Sequence, residues 1–241
     1  MIVRYVMFLV LVLGCGGEQA ASRSGGQAAS ESLAVAIESS HAPDSLAARP
    51  PDRLAAPRPR IVFLGTSLTA GYGLEPDAAY PAIIQAKLDS VGLNYQVMNA
   101  GVSGETSAGS LKKLDWILRD PVSVLVIETG ANDGLRGQDP DSLRHNLEAI
   151  IDRARAQQPP PRILLVGMEA LPNLGATYRR RFTEVYPQVA RERNVPLIPF
   201  LLVGVAGVDS LNQADGIHPT VEGQRIVAGT VWKQLEPMLG R

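Results

Sequence analysis

Short apolar runs alternate with stretches of helical periodicity from residue 60 to residue 241. The clearest run covers residues 122–127, which are apolar almost throughout, as expected of a central strand covered on both faces. Similar runs end at Gly65 and cover residues 95–99, 162–167 and 195–200; the last contains two prolines, which suit an edge strand. This alternation predicts β-α units and therefore a parallel sheet with helices on both faces.

The segments between these runs predict amphipathic helices. Residues 141–155 place apolar side chains on one face, namely Leu143, Leu147, Ile150, Ile151 and Ala154. His145 lies about 200° round this helix from Leu143, so we expect it to face solvent. Further helices are expected over residues 178–194 and 219–238.

The first fifteen residues have the pattern of an export signal. They combine one early positive charge, Arg4, with an apolar run over residues 5–13 that is too short to span a bilayer. The sequence Val12-Leu13-Gly14-Cys15 resembles the lipobox of bacterial lipoproteins, in which the cysteine is acylated. We interpret residues 1–15 as a lipoprotein-type signal peptide ending at a lipidated Cys15. The alternative is an ordinary cleaved signal with an incidental cysteine.

Residues 16–59 are dominated by Ala, Gly, Ser and Pro and contain no aromatic residue. Such a composition buries too little apolar surface to offset the entropy of ordering the chain, so we interpret this segment as a disordered tether. The expected organisation is therefore a signal (1–15), a tether (16–59) and one domain (60–241). His41 lies in the tether, which argues against a catalytic role for it.

Charge and cysteine content exclude several classes of function. The chain has 23 basic and 24 acidic residues, a net charge of -1, and no long basic run, which argues against a nucleic-acid partner. Cys15 is the only cysteine, which excludes an intrachain disulfide, a thiolate metal cluster and a cysteine nucleophile in the domain.

Ser67 follows the first predicted strand and its closing glycine. In an open α/β sheet, ligands bind beyond the carboxyl ends of the strands, so this serine is placed for chemistry. It is equally consistent with a helix cap. Of the three histidines, only His218 lies outside the tether and the solvated helix face. Asp215 precedes it by three residues and could accept its Nδ1 proton, although a turn before a helix explains this segment, taken alone, slightly better.

Two further strand ends offer donors for a developing oxyanion. A glycine at position 104, after the second strand, would let a backbone N–H approach a ligand closely. Asn132 follows the third strand and carries a neutral amide donor. Taken singly, a tight turn at Gly104 and an Asx-turn at Asn132 explain these two residues better than an oxyanion site does.

Taken together and in this order, the four segments resemble the SGNH (GDSL) hydrolase superfamily. The residues that carry the resemblance lie at 65–73, 99–106, 130–137, 178–181, 195–200 and 215–219, and the likeness spans residues 60–241. Within the superfamily, the chain looks most like the bacterial branch of acyl-CoA thioesterase I, lysophospholipase L1 and arylesterases. The resemblance implies a flavodoxin-like, three-layer α/β/α sandwich with a five-stranded parallel sheet of order 2-1-3-4-5.

The resemblance also implies residue roles. Ser67 would be the nucleophile, His218 the general base and acid, and Asp215 its orienting partner. The backbone N–H groups of Ser67 and Gly104 and the Asn132 amide would form the oxyanion hole, with no metal or organic cofactor. The chain departs from the family at Thr66, where aspartate is usual, which puts the bracing of the turn in doubt.

The function expected from the resemblance is hydrolysis of small aryl or acyl esters, and also of thioesters or lysophospholipids, by an exported protein. The protein would be held on a membrane of the bacterial envelope by the lipid on Cys15, or else be periplasmic or secreted. Two alternatives stay open: a carbohydrate O-deacetylase of the same superfamily, and a catalytically silent binding module on the same fold. Arg179, Arg180 and Arg181 could attract anionic head groups, but a solvated helix face also explains them.

Overall fold

The computed structural model describes residues 57–240 of the chain. The interpreted signal, with Cys15, and the tether up to residue 56 lie outside the described residues. Five strands form one sheet: β1 (Arg60–Gly65), β2 (Gln96–Gly101), β3 (Val124–Glu128), β4 (Arg162–Val166) and β5 (Leu197–Ile198). Every pairing is parallel, and the strand order β2-β1-β3-β4-β5 confirms the expected topology.

Seven α-helices connect and cover these strands in the described part of the chain: α1 (Ser67–Ala70), α2 (Tyr80–Ser90), α3 (Ser107–Ile117), α4 (Ala131–Leu135), α5 (Pro140–Arg155), α6 (Ala176–Glu192) and α7 (Val221–Leu235). Helix α2 packs against α7, while α5 packs between α3 and α6. The sheet and these two groups of helices form the expected α/β sandwich. Within residues 57–240, no helix is both long enough and apolar enough to cross a membrane.

The core explains the central position of β1 and β3. All five residues of β3 are buried, and so are the apolar side chains of β1, because both strands are covered on both faces. On α5, the apolar face predicted from the sequence is buried, and His145 lies on the exposed face. The carboxyl ends of β1 and β3 are therefore fixed next to each other at the middle of one sheet edge.

Several predicted boundaries differ from the structure, and those of β2 and β3 differ by only one or two residues at each end. The fifth strand was expected over residues 195–200 but pairs only at Leu197 and Ile198, because Pro196 and Pro199 cannot donate to the ladder. The sixth helix begins at Ala176 and ends at Glu192, rather than spanning residues 178–194. The last helix begins at Val221 rather than Pro219, since the Thr220 hydroxyl caps it by accepting the Gly223 N–H at 3.3 Å.

Candidate active site

Ser67 lies on a sharp turn at the carboxyl end of β1. Thr66 has extended backbone angles and caps α1, so Ser67 is the first residue of that helix. The helix is only four residues long and ends at Gly71 in the left-handed conformation, with φ of 73°. As a first-turn residue, Ser67 has a backbone N–H without an intrahelical acceptor. Both its hydroxyl and its N–H are thus available at the sheet edge.

His218 and Asp215 lie in the loop that precedes α7. The His218 Nε2 atom is 2.9 Å from Ser67 Oγ, and the Nδ1 atom is 2.6 Å from Asp215 Oδ2. The other carboxylate oxygen, Oδ1, accepts the backbone N–H groups of Ile217 and His218, both at 3.0 Å. The hydrogen bond from His218, with these two N–H donors, lowers the pKa of Asp215 to about 2. The structure therefore brings together the three side chains that the sequence singled out.

Two residues that sequence reasoning missed hold this loop in place. The Tyr72 ring packs on the His218 ring, with centroids 4.6 Å apart and a 38° interplanar angle. The Gln213 amide donates to the carbonyls of Tyr72 and Pro219, at 2.7 Å and 3.0 Å. Gln213 therefore ties the loop after α1 to the loop before α7. The position of Tyr72, five residues after Ser67, was the available signal, but a ring stacked on the histidine could not be inferred from it.

Of the two oxyanion donors predicted at further strand ends, Asn132 lines the cavity beside Ser67 and Gly104 does not. Gly130, with φ of 108°, is the N-cap of α4 and so places Asn132 in the first turn; a side chain at position 130 would overlap the Tyr186 hydroxyl. The Asn132 amide donates one proton to the Glu105 carbonyl at 3.0 Å, which leaves the second for a ligand. Gly104, with φ of 78°, is not among the residues that line the cavity beside Ser67, although its neighbour Glu105 holds Asn132.

A cavity of about 430 Å³ opens beside Ser67, Asn132 and His218. Its wall is mainly apolar, with Leu135, Met168, Ala170, Phe200, Leu202 and Ile217 among the lining residues. Arg179 is the cationic residue that lines it, and its Nε donates to the Ala170 carbonyl at 3.3 Å. Apolar lining with a few polar groups at one end is typical of a small-molecule site.

The three arginines of α6 do not act as one cluster. Arg179 lies at the cavity, whereas Arg181 pairs with Asp139 and Asp141 on the neighbouring helix, at 3.4 Å and 3.1 Å. In the described part of the chain, no group of three His, Cys, Asp or Glu side chains is placed to hold a metal ion.

Thr66 does brace the turn, by contacts that the sequence did not reveal. Its backbone N–H donates to Glu128 Oε2 at 2.9 Å, and its hydroxyl donates to Glu128 Oε1 at 3.0 Å. Glu128 closes β3 and is fully buried. Sequence reasoning missed Glu128 because it ends an apolar run, where a buried carboxylate has no periodic signature.

The fold and the site together are typical of a hydrolase in which a serine hydroxyl lies within hydrogen-bond distance of a histidine at the carboxyl ends of parallel strands. Residues 63–226 match the family described as GDSL-like Lipase/Acylhydrolase, and the chain belongs to that family. This confirms the resemblance inferred from the motifs.

Individual relatives narrow the assignment. The chain is 40% identical to the protein named Esterase TesA of Pseudomonas aeruginosa over 180 residues, which cover 74% of this chain and 89% of that protein. It is 37% identical to Thioesterase 1/protease 1/lysophospholipase L1 of Escherichia coli K12 over 181 residues, covering 74% and 84% respectively.

A solved structure agrees with these relatives. The psychrotrophic esterase EstA of a Pseudoalteromonas species, inhibited by monoethylphosphonate, superposes with a TM-score of 0.70 at 32% identity, covering 74% of this chain and 97% of that one. The protein is thus a carboxylic ester hydrolase of the branch expected from its sequence.

Proposed function

We propose that the protein is a serine esterase in which Ser67 attacks the carbonyl carbon of a carboxylic ester. His218 would accept the Ser67 proton at Nε2, while Asp215 holds the ring in the tautomer that leaves Nε2 free to do so. The observation that carries this proposal is the continuous series of hydrogen bonds from Asp215 through His218 to Ser67, at 2.6 Å and 2.9 Å.

The reaction then runs in two halves. The Ser67 Oγ–carbon bond forms as the proton moves to His218, and collapse of the tetrahedral intermediate breaks the bond to the alcohol or thiol, which takes that proton. Water next attacks the acyl-enzyme, gives its proton to His218, and releases the carboxylic acid as Ser67 is reprotonated. The N–H groups of Ser67 and Gly104 and the Asn132 amide would stabilise the oxyanion in both halves.

The substrates that the cavity favours carry an apolar acyl chain. A cavity of about 430 Å³ with an apolar wall has room for more than an acetyl group. We therefore propose activity on aryl and acyl esters and on acyl thioesters, with lysophospholipids as further substrates. The two bacterial relatives are named Esterase TesA and Thioesterase 1/protease 1/lysophospholipase L1, and these names support this substrate class.

The test is hydrolysis of p-nitrophenyl esters from C2 to C12 by the wild type and by Ser67→Ala, with acetate release from acetylated glycans in parallel. We expect kcat/KM to be highest for medium chains and to be lost in Ser67→Ala. Hydrolysis confined to acetylated glycans would identify a carbohydrate deacetylase. Ester hydrolysis that persists in the folded Ser67→Ala protein, or no hydrolysis by the wild type, would refute the proposal.

We also propose that the protein is exported and held on a bacterial envelope membrane by a lipid on Cys15. The support is the arrangement of Arg4, the apolar run 5–13 and the lipobox-like residues 12–15. Labelled palmitate should enter the wild type but not Cys15→Ala, with esterase activity kept in both. Equal labelling of the two proteins, or none of the wild type, would exclude the lipid anchor.

A further inference from the structure

Glu128 is a buried carboxylate that the proposed reaction does not use. It is the last residue of β3, its side chain is fully buried, and it makes no ion pair with any charged residue in the described part of the chain. An unpaired buried carboxylate opposes folding unless hydrogen bonds compensate it. Its partners should therefore indicate what it does.

Those partners lie on both sides of Ser67 in the chain. Thr66, immediately before Ser67, donates its N–H and its hydroxyl to the carboxylate, at 2.9 Å and 3.0 Å. Thr69, two residues after Ser67, donates its hydroxyl to Oε2 at 2.7 Å. One side chain thus holds the turn at two points with Ser67 between them.

The proton count at these groups fits the ionised form of Glu128. With Glu128 ionised, the Thr69 hydroxyl donates its one proton to the carboxylate, and the Tyr80 hydroxyl can then donate to Thr69 Oγ, which lies 2.7 Å away. The carboxylate then accepts three hydrogen bonds, two from Thr66 and one from Thr69, and it has no proton of its own that needs an acceptor. A protonated Glu128 would itself be a donor facing other donors, so one threonine hydroxyl would have to rotate and give up its hydrogen bond to the carboxyl group.

Gly65 leaves the space that this arrangement needs. A Cβ at position 65 would lie 2.7 Å from Glu128 Oε2 and would overlap the Thr69 side chain. The glycine that ends β1 therefore serves the contact between Glu128 and Thr69 as well as the turn itself.

Burial works against the ionised form. Burial raises the pKa of Glu128 to about 7, and the N–H and hydroxyl donors of Thr66 and Thr69 only partly oppose this. In the described part of the chain, the titratable groups that interact with it are Tyr80 on α2 and Tyr186 on α6, both with pKa values raised chiefly by burial. Since none of these supplies a positive charge, the hydrogen-bond donors are what favour the carboxylate.

We propose that Glu128 is a positioning residue for the esterase: as a carboxylate it fixes the turn on both sides of Ser67, and so holds the hydroxyl and the N–H of Ser67 in reactive geometry. The inference rests on the role proposed for Ser67. Protonation of Glu128 loosens this turn, so the rate of the chemical step falls while the cavity and substrate binding are unchanged.

The test compares wild type with Glu128→Gln, a neutral side chain of the same shape, on p-nitrophenyl butyrate between pH 6 and 9. At pH 8.5 we expect kcat to fall by about 10- to 100-fold, the scale of a displaced reacting group, with KM within about twofold. The wild-type kcat should rise with pH as Glu128 ionises, and this step should be missing from the pH profile of Glu128→Gln. A wild-type kcat and pH profile in Glu128→Gln would overturn the proposal.

Controls separate this inference from the proposed function and from general damage. Glu192→Gln, the same change at an exposed residue at the end of α6 that pairs with Arg144, should match the wild-type kcat and pH profile. Loss of activity in Ser67→Ala establishes the esterase whatever Glu128→Gln does. If Glu128→Gln does not fold, Thr66→Val, which lacks the donated hydroxyl, should lose kcat and flatten the pH profile relative to Thr66→Ser. Equal kcat in that pair would overturn the proposal.

Discussion

Ser67 Oγ lies 2.9 Å from His218 Nε2, although 151 positions separate the two residues. The first is fixed by the end of β1 and the second by the loop before α7, so their distance depends on contacts between separate parts of the fold. Gln213 supplies one such contact, because its amide donates to the carbonyls of Tyr72 and Pro219. The Tyr72 ring supplies another by packing on the His218 ring.

Tyr72 should set the orientation of His218 without taking part in the chemistry. Removing its ring in Tyr72→Ala loses a contact between aromatic rings worth about 0.5–1.5 kcal/mol, so we expect kcat to fall roughly 2- to 10-fold. Tyr72→Phe keeps the ring and should keep the rate. Steady-state kinetics on p-nitrophenyl butyrate measure both, and equal losses in the two variants would show that the hydroxyl, not the ring, matters.

Asn132 should act on the transition state rather than on substrate binding. In Asn132→Ala we expect kcat to fall by about 10²- to 10³-fold, the loss typical of one oxyanion donor, with KM little changed. The Asn132 amide also holds the Glu105 carbonyl, so circular dichroism should verify that the fold is intact. A variant that raised KM and kept kcat would place Asn132 in ground-state binding instead.

The lining of the cavity should set the preferred acyl chain length. Ala206 lines the cavity but is exposed, so Ala206→Phe narrows the opening without overpacking the core. We expect kcat/KM to drop for C8 and longer esters and to stay within about twofold for C2 and C4, since each methylene gained or lost in an apolar pocket is worth about 1–3 kcal/mol. Val203→Phe, exposed and outside the cavity lining, is the matched control. A parallel drop at all chain lengths would show that the chain does not enter this cavity.

The sequence predicted the sheet order and the meeting of Ser67, Asp215 and His218, because these follow from strand ends and a short motif in the order of a known family. It did not predict Gly104's position relative to the cavity, the length of β5 or the start of α7. The length of β5 and the start of α7 depend on local hydrogen bonding. Pro196 and Pro199 lack the N–H groups that would extend β5, and the Thr220 cap fixes the start of α7. The roles of Glu128 and Tyr72 could not be predicted from the sequence, because folding alone brings their partners into contact with them.

Glu128 should make the protein less stable as the pH rises, in opposition to its proposed benefit for catalysis. Its pKa is about 7 in the folded protein and 4.5 ordinarily, so the folded state binds the proton more tightly. Stability from this group is therefore fully present below pH 4.5 and is lost as the pH rises to 7. The difference between these two pKa values corresponds to about 3 kcal/mol, because one pKa unit is worth about 1.36 kcal/mol.

Glu128→Gln removes this titration, so its free energy of unfolding relative to the wild type should rise by about 2–3 kcal/mol between pH 5 and pH 8. Urea unfolding of both proteins at four pH values measures the difference, in which the other titrating groups cancel. Glu192→Gln should show no such trend. A residue that served only the fold would lose stability and activity together when replaced, whereas for a positioning carboxylate the loss of activity should come with a stability, relative to the wild type, that improves between pH 5 and pH 8. A difference between Glu128→Gln and the wild type that stays constant with pH would show that Glu128 does not titrate in this range.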